Sequence, residues 1–495
     1  VGIYDHNRTQ ADFAALSALG YNTVRIIFDN CTSDEACLGA QDGQGLNPAY
    51  LDNMGDLLSL AKANQLFVLL ASQGLPELGG YADLANQGAN ASFAAGVNSW
   101  LLTQAGIQAS QKYWSDILGG LETRQAAFDV ILGWEILAEQ YYHTDQPPFA
   151  LQSGRITLPN SKSYDMSRPS QRQALAIDGL RTYIDRMKQT ILTYDPTALV
   201  CMGFAPPSAP NTWRDDDNGQ VDTAALMEDS SLDFFDLHGS PGAGLSMAQL
   251  AQNYGLGNHV TKPIIMGEVG ASTWIYPQVS EAAIAIQDWI AASCNQGFAG
   301  WLYSAYYPSP AGLAEATWGS IDAQDTLLKA LSPKNQPDAC EVAVLPGRNL
   351  ALSKVVQVSA SLPDQTPEMA VDGNPETQWS AGEFPTQWLE IDLGAAYSVG
   401  EIRLTVGQWP EGNTVHQIWV ASSRESMQMV DEISGYTYDF DVLDYTPSRP
   451  LQNIRYVRIV TTESLSWVSW REIEVLAPFP ATPTPTSEVT LTPTP

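Results

Sequence analysis

Up to about residue 335 the chain alternates between short, continuous apolar runs and longer stretches whose apolar residues recur every three to four positions. The runs fall at 22–28, 66–71, 130–137, 198–204, 234–238, 263–267 and 298–303, lengths suited to strands buried on both faces. The stretches at 10–19, 50–63, 170–192 and 280–292 carry the helical period. Repeated strand–helix alternation predicts an α/β domain around a parallel sheet. Seven strands, with residues 1–4 as an eighth, fit a (β/α)8 TIM barrel over 1–335 better than an open doubly wound sheet. No GxGxxG opens a helix, which speaks against a dinucleotide site. From 349 to 478 the pattern changes to short strands rich in Val, Ile, Thr and Trp between polar turns, which predicts a β-sandwich. Pro333, Pro337 and Pro346 mark the seam, with 336–348 read as a linker. Residues 479–495 are a Thr/Pro tract that cannot build a core and reads as an extended spacer, with a further module or a surface anchor expected beyond it.

Composition narrows the function. The 495 residues hold 24 Lys+Arg against 55 Asp+Glu, a net charge of -31, so nucleic acid is a poor partner and a neutral or cationic ligand a better one. No apolar stretch approaches the roughly 18 residues of a membrane span. Only 16% of residues are charged, while uncharged polar residues abound, and the chain starts at Val1 without a basic leader. A secreted, monomeric protein, free or attached to a cell surface, is the expectation. Among the five cysteines, Cys31 and Cys37 flank a short polar loop and Cys294 and Cys340 form a second pairing candidate. Cys201, inside an apolar run, reads as a buried small hydrophobe.

Two connections, after the strands ending near 71 and 137, run for about thirty residues, far beyond the usual two to six. In a barrel such loops rise from the C-terminal face, where active sites form. Glu139 and Glu268 stand just past apolar strands on that face. Two carboxylates about 5 Å apart, one protonated and one ionised, are what retaining glycoside hydrolysis requires. Glu135, inside the same segment as Glu139, is a rival for the acid role, although its place within the strand suits a structural hydrogen bond. Aromatic residues crowd this face and offer stacking surfaces to sugar rings. Trp134, Tyr141, Tyr142, Trp213, Trp274, Trp301, Tyr303 and Tyr306 are the expected substrate contacts.

The segments Gly20-Tyr21-Asn22-Thr23-Val24-Arg25-Ile26 and Lys262-Pro263-Ile264-Ile265-Met266-Gly267-Glu268-Val269-Gly270 resemble family-5-like retaining glycoside hydrolases, with catalytic glutamates on strands four and seven. The resemblance covers about residues 1–330 and implies Glu268 as nucleophile, Glu139 as acid/base, Arg25 beside the nucleophile, His238 near the reacting sugar, and no cofactor. The chain departs from the family at Ala138, where an Asn normally bonds the sugar 2-hydroxyl, at Ser240, where a Tyr is common, and in the strand-eight Trp. An enzyme acting inside a β-linked polysaccharide, cellulase- or mannanase-like, is therefore expected. A weakened or inactive barrel that serves in carbohydrate binding or adhesion is the alternative.

In the C-terminal region, Ala370 to Trp379 (AVDGNPETQW), Gln387 to Gly394 (QWLEIDLG) and Arg455 to Ile459 (RYVRI) resemble a discoidin, or coagulation-factor C-terminal-type, domain, the jelly-roll fold shared with family-32 carbohydrate-binding modules. The resemblance implies a structural Ca2+ at Asp372, Thr377 and Glu472, oxygen donors suited to that ion. It also implies ligand contacts from end loops, with Trp409 and either Trp467 or Trp470 as candidates, while Trp379 and Trp388 belong to the framework.

Overall fold

Each apolar run of the first region contains strand in the computed structural model, which describes residues 4–28, 37–210, 221–257, 261–307, 316–321, 325–336, 338–340 and 347–478. The first unit opens with α1 (His6–Ala18), capped by Asp5, whose side chain accepts from the Arg8 N–H. Then come β1 (Thr23–Phe28), α2 (Pro48–Ala63), β2 (Phe67–Ser72), α3 (Tyr81–Asn86), α4 (Val97–Leu102), α5 (Gln104–Thr123) and β3 (Ile131–Glu135). A hairpin of β4 (Arg155–Thr157) and β5 (Ser163–Asp165) precedes α6 (Pro169–Tyr194), β6 (Val200–Cys201), β7 (Gly203–Phe204), α7 (Thr223–Glu228) and β8 (Phe235–Leu237). The unit closes with α8 (Met247–Asn253), β9 (Ile264–Val269), α9 (Val279–Cys294), β10 (Phe298–Tyr303) and α10 (Thr326–Ala330).

The parallel strands form two arcs, β1-β2-β3-β6 and β10-β9-β8-β7. The run at 198–204 is not one strand: it breaks at Met202, so that β6 pairs with β3 and β7 with β8, and this break passes the wall from one arc to the other. A closed eight-stranded barrel was the expectation. Among the described residues no ladder joins β1 to β10, and a cavity of about 640 Å³ lies there, lined by Phe13, Leu16, Ile26, Leu302 and Leu328 among others. Of the expected strand at 1–4, residues 1–3 lie outside the described residues and Tyr4 is not in a strand. The two long connections are also not bare loops, since one carries α3 and α4 and the other the β4–β5 hairpin.

Strand alternation sorts β3. Trp134 points outward, fully buried edge-on against Trp114 of α5 at 5.9 Å between ring centroids, with its indole N–H on Asp195. Glu135 therefore points inward. Inside the arcs, Leu69, Cys201 and Phe234 form a buried cluster, and Cys201 is a buried free thiol.

The chain divides into two units, residues 1–241 with 247–341 and residues 242–246 with 342–495. Both ends of the expected 336–348 linker are taken up. Cys340 is bonded to Cys294 at the end of α9, a closure of 46 residues that chain entropy values at about 4 kcal/mol. At the other end Gly347 and Arg348 pair with Ala477. Cys31 lies outside the described residues, and with it the other expected pairing.

The second unit contains β11 (Val355–Val358), β12 (Trp379–Ser380), β13 (Gln387–Val399), β14 (Glu401–Gly407), β15 (Gly412–Ala421), β16 (Gln428–Thr437), β17 (Val442–Tyr445), β18 (Leu451–Glu463) and β19 (Ser469–Leu476). They form two antiparallel sheets, β11-β13-β18-β15-β16 and β12-β19-β14-β17, closed over a core that includes Trp379, Trp470, Leu389, Ile459 and Ile473. Trp388 is half-buried, with the Arg458 guanidinium 4.8 Å above its ring.

Candidate active site

The site is assembled from strand ends. Arg25 on β1 reaches inward, its side chain only 6% exposed, and meets Glu135 with two parallel bonds, Nε to Oε2 and Nη2 to Oε1, each 2.8 Å. Its remaining arm, Nη1, donates to Glu268 Oε1. Burial works against the guanidinium charge, but the hydrogen bonds and charge of Glu135, with the charges of Asp236 and Glu268, outweigh it and hold Arg25 firmly protonated. Glu135 is itself pushed up to about 7, by burial first and the charge of Asp236 second, against the pull of Arg25. A carboxyl enclosed in this way cannot reach a substrate. Glu135 acts as the clamp on Arg25, and Glu139, exposed at the mouth, is the carboxyl that solvent and ligand can approach.

His238 lies between the mouth carboxylates. Its Nδ1 is 2.8 Å from Glu139 Oε1 and 3.9 Å from Glu268 Oε2. One oxygen of Glu139 and one of Glu268 lie within 4.8 Å of each other. Behind the ring, Nε2 is 3.5 Å from Asp236 Oδ2. The ring is held through its backbone by the Tyr254 hydroxyl, which donates to the carbonyls of both Phe204 and His238. Asp236 was not anticipated. The signal was present as a charged residue in the apolar run Phe234-Phe235-Asp236-Leu237-His238, which a buried strand tolerates only with partners. Gly267 makes room for it, because a Cβ there would lie 1.9 Å from Asp236 Oδ2, while the Gly267 N–H donates to Oδ1 at 2.5 Å.

The departures have local explanations. Ser240 accepts from the Gly270 N–H at 3.0 Å and so braces the turn just after Glu268. Ala138 is buried, and its carbonyl packs where a Cβ on Gly203 would sit.

Of the expected aromatic contacts, three need correcting. Trp134 faces the helices. Tyr142 is buried against Phe149 and donates to the Ala176 carbonyl. Trp301 turns its indole N–H back to Ser293 of α9. Tyr303 is half-buried and donates to the Trp318 carbonyl, and Tyr306 bonds Asp12 of α1. Trp274, 62% exposed, and Tyr141, 40% exposed, have open faces. Trp213 lies outside the described residues.

In the sandwich, Thr377 donates to Asp372 Oδ2 at 2.9 Å, and the Gly373 N–H donates to Glu472 Oε2 at 3.1 Å. Glu472 Oε1 is buried without a hydrogen-bond partner among the described residues. Burial pushes Asp372 up to about 6, and burial followed by the charge of Asp372 raises Glu472 well above its ordinary range. A buried carboxyl with an orphaned oxygen, beside the half-buried carboxyl of Asp372, fits a hard cation. At one end of the sandwich, Trp409 (83% exposed) and Trp467 (48%) project from loops, joined by Phe384 and Leu465, which sequence reading missed. Trp470, the alternative to Trp467, is buried in the core.

Comparison with known proteins bears on both units. Residues 355–473 match the F5/8 type C domain family, so the second unit is a discoidin-type domain. The crystal structure of an endo-1,4-β-mannanase from Rhizomucor miehei is similar with a TM-score of 0.51 at 15% identity, covering 68% of this chain and 92% of that one. At that identity the likeness bears on the fold of the chain alone. The family 32 carbohydrate-binding module of C. perfringens NanJ, in complex with galactose, aligns at 20% identity and TM-score 0.23 over 25% of this chain and 93% of that one. A polysaccharide lyase 8 family protein, HylA of Enterococcus faecalis, is 40% identical over 63 residues, 13% of this chain. The chain spans only 4% of that relative's length.

Proposed function

We propose that the chain is a carbohydrate-active enzyme, a retaining β-glycoside hydrolase acting inside a β-linked polysaccharide of the mannan or cellulose kind, with a discoidin-type module that holds it to carbohydrate. The observation that carries this reading is the pair of mouth carboxylates within 4.8 Å, Glu268 fixed by Arg25 and Glu139 by His238. The separation suits direct attack rather than the wider gap that accommodates a water. On this reading Glu268 attacks the anomeric carbon and Glu139 protonates the departing oxygen, then takes a proton from the water that releases the glycosyl ester. Arg25 holds the nucleophile's carboxylate in place through its Nη1 bond. Trp274 and Tyr141 offer stacking faces at the mouth, and Trp409 and Trp467 offer them on the module.

Asp372, Thr377 and Glu472 would hold a structural Ca2+, whose charge would compensate their burial. Export is supported by the Cys294–Cys340 disulfide, which persists in oxidising compartments. The test is a panel of mannan, cellulose, xylan and β-1,3-glucan assayed with the native chain and Glu268→Gln. Release of reducing sugar from one of them by the native chain alone is expected. A second reading, a barrel that binds carbohydrate without cleaving it, is favoured by Ala138, which offers no amide to a 2-hydroxyl. That reading predicts binding without release.

A further inference from the structure

Asp236 on β8 and His238, the first residue past that strand, are two apart in extended chain, so both side chains enter the barrel on the same face. Asp236 Oδ2 and His238 Nε2 are both buried and have no hydrogen-bond partner among the described residues, yet they face each other at 3.5 Å. The other ring nitrogen, Nδ1, touches Glu139 at 2.8 Å. Carboxylate, imidazole and carboxyl thus form one line from the barrel interior to its mouth.

We propose that Asp236 is a positioning residue for the acid/base. It keeps the Nε2 proton of His238 in place, so that Nδ1 always faces Glu139 and one mobile proton is shared between Nδ1 and Glu139 Oε1. This inference rests on the hydrolase reading for its kinetic consequence only. When the proton resides on Nδ1, His238 is an imidazolium and Glu139 a carboxylate. When it resides on Glu139, the ring is neutral and accepts the Glu139 O–H at Nδ1. Proton donation to the leaving oxygen then draws one proton from the pair, and the water that cleaves the glycosyl ester returns one, so each cycle closes without external acid. Asp236 itself gives up nothing.

The charged surroundings are consistent with this. His238 faces Asp236 of β8, Glu139 beyond β3 and Glu268 on β9, while the Tyr254 hydroxyl bonds its carbonyl. Arg25 Nε, 3.5 Å from Asp236 Oδ2, and Glu135 lie behind. Burial disfavours a charged ring, but Asp236, the hydrogen bond with Glu139 and the charge of Glu268 push His238 up to about 10. The tautomer of a histidine follows the group its second nitrogen faces, and here that group is the Asp236 carboxylate at 3.5 Å.

The first test needs no substrate. The chain has five histidines, and 15N spectra of the native protein, assigned by comparison with His238→Gln, report both ring nitrogens of His238. Nε2 is expected to stay protonated across the titration, with the ring still charged at pH 7. A neutral ring at pH 7 protonated at Nδ1 would overturn the proposal whether or not the barrel is an enzyme. The second test is Asp236→Asn, which is nearly isosteric and whose amide donates to Nε2, forcing the proton onto Nδ1. Hydrolysis of an unactivated manno- or cello-oligosaccharide should fall about 100-fold or more, in line with the worth of a general acid. Glycosylation by the matching 2,4-dinitrophenyl glycoside, whose leaving group needs no proton, should fall less than about 10-fold in kcat/KM by the same reasoning. Equal losses on both would mean that Asp236 merely supports the fold, and would also overturn the proposal. A native chain inactive on every substrate would sink the hydrolase reading while leaving the tautomer measurement decisive.

Discussion

Raising pH with calcium removed should weaken the sandwich, and the structure indicates by how much. Burial lifts Asp372 from the ordinary 3.8 to about 6. The folded state therefore holds a proton that the unfolded chain releases, so the group's stabilising effect is present below about pH 4 and is lost as pH rises through about 6. A difference of about two units is worth about 3 kcal/mol by pH 7.5. Glu472, also raised, acts in the same direction. For a domain of this size that is a fall of roughly 10 °C in Tm. Bound calcium would replace the missing positive charge and remove most of the fall. The assay is calorimetry of the intact chain at pH 5 and pH 7.5, with EDTA or excess Ca2+, the sandwich transition being identified as the one that Asp372→Asn shifts. With EDTA that transition should drop between the two pH values by about 1.4 kcal/mol, or roughly 5 °C, because about half of the total effect is already lost at pH 5, and Asp372→Asn should flatten the drop. A chelated transition that is flat or rises with pH would refute the argument from burial, and one indifferent to calcium at pH 7.5 would remove the metal.

Other consequences separate packing from chemistry. Glu135→Gln should leave the Arg25 charge without its main partner, costing about 3–5 kcal/mol of stability and a loss of kcat, read by denaturant melts and single-substrate kinetics. Trp134→Ala should cost about 3–5 kcal/mol, measured the same way, through the cavity opened against Trp114. Trp274→Ala should leave stability within about 0.5 kcal/mol and alter KM or oligosaccharide binding instead. Ala138→Asn should raise kcat on a β-mannan or β-glucan that the native chain cleaves, because an amide at that position bonds a 2-hydroxyl most strongly in the transition state.

The sequence pattern located the strands because buried parallel strands are continuous apolar runs, and it located Glu139 and Glu268 because polar residues just past such runs lie at the mouth. It did not orient the aromatics. Trp134 and Glu135 are neighbours in the chain, and only the pleat decides that one meets α5 and the other Arg25. The break at Met202 was also invisible, since an uninterrupted apolar run reads the same whether it serves one arc or two. Tyr142 follows the same lesson: its place after Glu139 suggested a ligand contact, but the connection folds back and buries it under α6. Asp236 was legible in principle, because a lone acid within an apolar strand must have a partner. Its neighbours come from β1 and β9, which are far from it in sequence.

The unladdered seam between β1 and β10 gives Arg25 a mechanical role. A barrel hydrogen-bonded around its whole circumference resists changes in girth, whereas one with an unjoined seam behaves as a split ring whose lips can spread. Arg25 sits on one lip, and Glu268 is on β9, one strand in from the other lip, so their ion pair is a clasp across the gap. On the proposed mechanism, Glu268 surrenders its charge each time it forms the glycosyl ester, and the clasp slackens once per turnover. Glu268→Gln reproduces that neutral state permanently. Its amides along β1 and β10 should exchange with deuterium faster than those of the native chain, while β2 and β3, held on both sides, should keep their native rates.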